Sequence, residues 1–82
     1  MGLVSVLRFE GRLVEIMVVS SAEDDDGWVA EVWDLTPGTG GLVMQVHEDA
    51  GGTLLVDLLG ARQEARLVTW AVEAARAELG AQ

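Results

Sequence analysis

The sequence predicts an α+β protein, in which a five-stranded antiparallel meander sheet carries one C-terminal amphipathic helix packed on one face. Two observations support this fold class. Residues 3–59 contain five short segments rich in Val, Leu and Ile, separated by turns rich in Gly and Asp, whereas residues 61–79 show helical spacing of apolar residues. Consecutive antiparallel strands with short loops usually pair in order, so we expect a simple meander.

Length and composition limit the chain to one small domain, residues 1–82. Half of the 82 residues are hydrophobic, which is enough for a core and excludes intrinsic disorder despite a net charge of −9. The absence of cysteine excludes a disulfide scaffold and thiolate metal sites. We therefore expect no cofactor and no metal.

The first two strands form a hairpin around Glu10-Gly11, because a two-residue turn with Gly is a strong hairpin signal. The turn predicts these pairs: Phe9 with Arg12, Leu7 with Val14, Ser5 with Ile16 and Leu3 with Val18. Their shared face is nearly all apolar. The other face is mixed and holds Val4, Val6, Arg8, Leu13, Glu15, Met17 and Val19.

The remaining strands follow from turn residues and alternation. The third strand is expected over residues 28–35, with Trp28 on one face and Trp33 on the other. Residues 42–47 and 53–59 form the last hairpin around the five-residue loop 48–52. That loop predicts the pairs Val46 with Leu54, Met44 with Val56 and Leu42 with Leu58.

A helix is expected over about residues 61–79, with Gly60 as its N-cap and Gly80 just past its end. Its predicted apolar stripe consists of Ala61, Ala65, Val68, Val72, Ala75 and Leu79. Trp70 lies opposite this stripe on a helical wheel. Large aromatic residues outside a core are enriched among interface anchors, so Trp70 is a candidate partner contact.

The second face of the sheet is the most informative feature, because one helix can cover only one side. Leaving many apolar side chains in water forgoes about 1.5–3 kcal/mol for each. The sequence therefore predicts a partner interface, most simply with a second copy of the chain. Its predicted residues are Val4, Val6, Leu13, Met17, Val19, Trp33 and Trp70. The alternatives are a strongly curled sheet that covers its own second face and a strand register different from the expected one.

Four adjacent carboxylates, Glu23, Asp24, Asp25 and Asp26, form an acidic loop. The alternatives are a docking site for a basic partner, a weak divalent-cation site and a solvated loop. Residues 61–79 are neutral in sum, so the whole net charge of −9 lies in residues 1–60. Five arginines and no lysine against 14 carboxylates exclude nucleic acid as an expected partner.

The only histidine, His47, shares its predicted face with Asp57. These two residues suggest an alternative function, in which an apolar pocket between sheet and helix binds a small molecule and the pair lies at its mouth. The chain has no Cys, Lys, Tyr or Asn, and its Ser and Thr residues lie in no nucleophile motif. We therefore expect a protein that is not an enzyme.

The N-terminal residues form no cationic leader, and no apolar run reaches the roughly 18 residues of a membrane span. These observations predict a soluble, cytoplasmic protein without membrane association. Arginine as the only long cation, with abundant Ala, Val and Gly, is typical of GC-rich bacterial genomes. The function expected from the sequence is a homodimeric protein–protein interaction module with an acidic surface for a basic partner, in an inhibitor, immunity or chaperone-like role.

Overall fold

A computed structural model describes residues 3–20, 27–38, 40–49, 51–59 and 62–81 of the chain. Its elements are β1 (Leu3–Phe9), β2 (Arg12–Ser20), β3 (Trp28–Asp34), β4 (Gly41–Glu48), β5 (Leu54–Leu58) and α1 (Ala65–Gly80). The strands form one antiparallel sheet in the order β1-β2-β3-β4-β5, and α1 packs across β2 and β3. The predicted α+β meander is therefore confirmed.

The β1–β2 hairpin has the predicted register, in which Phe9 pairs with Arg12 and Leu7 with Val14. The turn residues Glu10 and Gly11 have φ values of 46° and 82°, the left-handed pair that a two-residue hairpin turn requires. Gly adopts this conformation without a Cβ clash, whereas Glu10 adopts it at some conformational cost. The turn thus sets the register of the whole hairpin.

The last hairpin differs from the prediction by two residues. Val46 pairs with Val56 and Met44 with Leu58, because β4 continues through Glu48 and the five-residue loop is 49–53 rather than 48–52. The side chain of Asp49 closes this turn, since its Oδ1 accepts hydrogen bonds from the backbone N–H groups of Gly51 and Thr53, both at 2.9 Å. A shift of two residues leaves every side chain on its predicted face.

The core lies between α1 and the sheet face that it covers. Its sheet residues are Val14, Ile16, Val18, Ala30, Val32, Met44 and Val46, and its helix residues are Leu67, Ala71, Ala75 and Leu79. Ala71 and Ala75 are fully buried, so small side chains occupy the line where the helix approaches the sheet most closely. Burial of each large apolar side chain here contributes about 1.5–3 kcal/mol.

The helix starts at Ala65, four residues after the expected start at residue 61. Residues 62–64 are not helical, and Glu64 precedes the helix with an extended backbone, so Gly60 is not its N-cap. Glu64 is held there by Arg12 of β2, whose Nη2 lies 3.1 Å from the Glu64 Oε2 atom. Gly80 is the last helical residue rather than the one that follows.

The buried stripe of the helix is also rotated from the predicted one. It consists of Leu67, Ala71, Ala75 and Leu79, while Val68 and Val72 are half-buried at its flank. The predicted stripe shares Ala75 and Leu79 with the observed one but placed Val68 and Val72 in it instead of Leu67 and Ala71. The closest approach to the sheet instead falls on the small side chains.

Candidate functional site

The sheet face opposite α1, called the open face below, carries no helix or strand layer among the residues that the structure describes. It comprises Val4, Val6, Arg8, Leu13, Glu15, Met17, Val19, Val29, Glu31, Trp33, Gln45, His47, Leu55 and Asp57. The observed strand register puts the strand residues of the predicted interface on this same face.

The apolar residues of the open face are not equally exposed. Val4, Val6 and Leu13 are 55%, 53% and 43% exposed, whereas Met17, Val19 and Trp33 are half-buried by their neighbours. Val29, in the middle of the sheet, is buried at 7% exposure. Val43 lies where the β3–β4 register shifts between Val32 and Trp33, and it belongs to the buried core cluster. The exposed apolar surface predicted on β1 and β2 therefore lies mainly on Val4, Val6 and Leu13.

One row of side chains runs across all five strands of the open face and changes from apolar to acidic. Its members, in strand order, are Val4, Met17, Glu31, Gln45 and Asp57. Glu31 is held in place because its Oε1 accepts a 3.3 Å hydrogen bond from Trp33 Nε1 and its Oε2 a 3.5 Å bond from Gln45 Nε2. The row thus presents apolar surface beside an oriented carboxylate.

Glu15 adds a second carboxylate within the apolar part of the open face. It lies on β2 between Leu13 and Met17, and its cross-strand neighbours are Val6 and Trp33. Within the described segments, Glu15 has no hydrogen bond and no ion pair. Any molecule that covers this part of the face must therefore neutralise or solvate that charge.

His47 and Asp57 lie side by side, as their shared face predicts. The His47 Nε2 atom is 3.2 Å from the Asp57 Oδ2 atom, although the contact lacks hydrogen-bond geometry. Both residues lie on the open face, away from α1. They therefore cannot line the mouth of a pocket between sheet and helix, and the interface between those layers is filled by core side chains such as Met44 and Leu67.

Trp70 is half-buried on the helix flank near β1. Its ring lies 5.0 Å from that of Phe9, centroid to centroid, with an interplanar angle of 41°. A surface depression of about 350 Å³ beside it is lined by Ala65, Arg66, Thr69 and Trp70. The tryptophan therefore stabilises the helix–sheet contact and keeps one exposed side, and its role as a partner contact stays a prediction.

An ionic cluster joins the start of α1 to the β1–β2 hairpin and to the end of β3. Arg66 contacts Glu10 and Glu64, each at 3.0 Å, and these carboxylates raise the pKa of Arg66 through the Glu64 hydrogen bond and then through charge attraction. Arg12 bridges Glu64 and Asp34. The cluster lies at the start of the helix that packs over β2 and β3, and none of its members is on β5.

Strand β5 is an exposed edge that the sequence reasoning did not single out. Leu55 faces the open side, while Val56 and Leu58 face the helix side, and all three are exposed. The signal was present as the run Leu54 to Leu59, in which Asp57 is the only polar residue. Sequence alone identifies this run as one strand of a hairpin and no more, because local sequence does not predict which strands the helix covers.

The acidic loop Glu23 to Asp26 lies outside the described residues, so its role as a docking site stays a prediction. Within the described ranges, no three His, Asp or Glu side chains cluster as metal ligands would. The one helix described there is too short and too polar to cross a membrane.

Comparisons of the chain with models of protein families, with curated protein sequences and with solved structures found no match. Its function must therefore be argued from the geometry of its own surfaces.

Proposed function

We propose that the chain is a non-enzymatic protein–protein interaction module whose open face binds a basic partner protein. The observation that supports this proposal is the row from Val4 to Asp57, in which the exposed Val4 and the half-buried Met17 lie on the same face as the carboxylates of Glu31 and Asp57. A partner that offers apolar residues and Lys or Arg together would match both halves of this row. Inhibitor, immunity and chaperone-like roles all fit such a module.

Charge favours a basic partner over a second copy on this face. Glu15, Glu31 and Asp57 outnumber the single arginine, Arg8, on the open face. A second copy would bring the same excess of negative charge into the contact and would desolvate both Glu15 side chains. Burying an unpaired charge is costly, whereas a Lys or Arg from a partner would offset that cost.

The net charge of the whole chain also favours a basic partner, because it is −9 and is concentrated in the sheet-forming part. Such a field raises the rate at which a basic partner arrives, and this effect weakens as salt increases. The predicted acidic loop, Glu23 to Asp26, would strengthen the same field. Apolar contacts on the open face would then determine which basic protein stays bound.

The first test uses a defined probe, a ten-residue peptide that alternates valine and arginine, titrated while the tryptophan fluorescence of the protein is followed. We expect Val4→Asp to weaken binding several-fold. This substitution adds negative charge, so nonspecific attraction would instead make binding tighter. Tighter binding by Val4→Asp would contradict the proposal.

A second pair of variants distinguishes a specific contact at Glu31 from an effect of the overall charge on binding. Glu31→Gln and Glu73→Gln each remove one negative charge, but Glu73 is exposed on the helix, away from the open face. The proposal expects a several-fold loss of affinity with Glu31→Gln and little change with Glu73→Gln. Equal effects would show that the peptide senses only the net charge.

A further inference from the structure

We propose that the exposed edge of β5 pairs with the β5 strand of a second copy, so that two chains form one continuous ten-stranded sheet around a two-fold axis at Val56. This interface is separate from the open face. It uses the backbone of an edge strand rather than the surface of a sheet. A basic partner on the open face and a second copy at β5 are therefore compatible.

The backbone groups that point outward from β5 follow from its pairing with β4. Leu59 N–H donates to Val43 at 2.9 Å, and Asp49 N–H donates to Thr53 at 2.9 Å. Because hydrogen-bonded residues alternate along an antiparallel strand, residues 53, 55, 57 and 59 face β4. The N–H and C=O groups of Leu54, Val56 and Leu58 therefore point away from the sheet, and no strand among the described residues pairs with them.

The side chains at this edge are apolar and uncovered. Val56 is 38% and Leu58 52% exposed on the helix side, because α1 lies over β2 and β3 and does not extend to β5. Long apolar edges are normally blunted by charge, bulges or cover, since they pair readily with other chains. The outward-pointing residues of β5 carry none of these protections.

The opposite edge of the sheet shows such protection. On β1, Arg8 carries a charge, and Ser5 donates a 2.9 Å hydrogen bond to Glu78 of the helix. Phe9, at the end of β1, is covered by Trp70. Val4 and Val6 of β1 are also exposed, so the edges differ in another way: β1 has a charge and a side-chain bond to the helix, whereas the outward-pointing residues of β5 are all apolar.

The sequence of β5 is complementary to itself in an antiparallel pair, so a second copy of the chain fits this edge. In a two-fold antiparallel pair centred on Val56, Leu54 lies opposite Leu58 of the second copy and Val56 lies opposite its own counterpart. All three outward-pointing residues then exchange backbone hydrogen bonds. A pair centred on Asp57 would instead place two carboxylates directly opposite each other, which is unfavourable.

The side chains on both faces fit this register. On the helix side, Leu54, Val56 and Leu58 of the two copies form one apolar strip between the two helices, flanked by the half-buried Val68 and Val72. On the open side, Leu55 lies opposite Asp57 of the second copy. The open faces of both copies stay accessible.

The first test is the mass of the protein in solution. We expect a species of twice the 8.7 kDa chain mass at high micromolar concentration by sedimentation equilibrium. Val56→Lys places a charge in the centre of the pairing and should shift dissociation to at least about tenfold higher concentration. A wild-type protein that stays monomeric throughout this range would overturn the proposal.

Leu55→Lys is the matched control, because Leu55 is a neighbour on the same strand and is also exposed. In the proposed register, Lys at position 55 faces Asp57 of the second copy, so this variant should keep or tighten the dimer. Val4→Asp on the open face should also keep it. A dimer that dissociates with Val4→Asp but not with Val56→Lys forms through the open face and refutes edge pairing.

Disulfide trapping tests the register even if a charged variant fails to fold. The chain has no cysteine, so Val56→Cys introduces a single thiol. Directly opposite residues of a hydrogen-bonded pair have Cα atoms about 5.5 Å apart, within disulfide range, whereas two copies of residue 58 would be about 14 Å apart. Val56→Cys should therefore cross-link at least about tenfold faster than Leu58→Cys. Equal rates would contradict the register.

Discussion

Trp70 of the helix and Phe9 of β1 are in ring contact, with centroids 5.0 Å apart, and this contact attaches the first half of α1 to the sheet. Tilted aromatic pairs contribute about 0.5–1.5 kcal/mol beyond the area that they bury. Arg12 lies over the ring of Phe9, with its guanidinium carbon 5.5 Å from the ring centroid. The residue predicted as a partner contact therefore also stabilises the fold.

We predict that Trp70→Ala lowers the free energy of unfolding by about 2–3 kcal/mol, less than for a fully buried tryptophan. Urea unfolding followed by circular dichroism measures this loss. Trp70→Phe should retain more than half of the stability, and Thr69→Ala, at an exposed neighbouring position, should change it by under about 0.5 kcal/mol. Full stability together with a loss of self-association in Trp70→Ala would instead assign Trp70 to an interface.

The sequence predicts this fold well where a short-range signal sets the geometry. The Glu10-Gly11 turn leaves one register for β1 and β2, and that register is observed. The last hairpin was predicted less well, because the side chain of Asp49 closes its turn and shifts the pairing by two residues. Loop length alone did not indicate this closure.

The helix shows what local sequence could not predict. Periodicity identified its apolar character, but its start depends on Arg12, a residue 52 positions from Glu64 in the chain. The packing of the buried helix residues Leu67, Ala71 and Ala75 against β2 and β3 is also long-range, and it leaves β5 exposed. The open face was predictable from strand alternation, whereas the second exposed surface depends on tertiary placement.

The turn after β3 yields a second prediction. Gly40 approaches the backbone so closely that an added Cβ would overlap the carbonyl oxygen of Asp34 and lie 2.6 Å from that of Thr36. Gly40→Ala should therefore lower the free energy of unfolding by about 1–3 kcal/mol.

Thermal unfolding of Gly40→Ala beside Gly51→Ala measures this effect. A Cβ at Gly51 meets only the Asp49 carboxylate at 3.5 Å, an ordinary contact. The control variant should stay within about 0.5 kcal/mol of the wild type. Similar stability of both variants would show that the Gly40 turn has room to relax.

The left-handed conformation of Glu10 gives a third prediction. Its φ of 46° is unfavourable for most side chains, while Asn-Gly is a preferred sequence for this turn. Glu10→Asn should raise the free energy of unfolding by about 0.5–1 kcal/mol, although it removes the contact with Arg66.

Arg66→Gln serves as the control, because it removes the same ion pair, together with the contact to Glu64, without changing the turn. Exposed ion pairs contribute little, so this variant should lose at most about 1 kcal/mol. Chemical denaturation of both variants at one protein concentration makes the comparison independent of self-association. Both variants lack the Glu10–Arg66 contact, so a Glu10→Asn protein that is no more stable than Arg66→Gln would contradict the expected gain from the turn.

Asp34 supports a final prediction, about pH. Burial by itself raises the pKa of Asp34, but hydrogen bonds from the Thr36 hydroxyl and backbone N–H, together with the charge of Arg12, lower it below its ordinary value of 3.8. A carboxyl whose pKa is lower in the folded state stabilises that state at neutral pH. As the pH falls, it passes the pKa of Asp34 in the unfolded state and then its lower pKa in the folded state. The stabilisation by Asp34 is therefore lost below about pH 4.

Asp34→Asn isolates this contribution, because the amide oxygen can still accept both hydrogen bonds from Thr36 while the negative charge is absent. We expect the variant to be less stable than the wild type at pH 7, by about 1 kcal/mol, and the difference to shrink towards zero by about pH 2. Urea unfolding of both proteins across this pH range measures the difference in stability. The other carboxyl groups are the same in both proteins, so their effects on this difference cancel. A difference that stays constant with pH would show that Asp34 acts through shape alone and not through its charge beside Arg12.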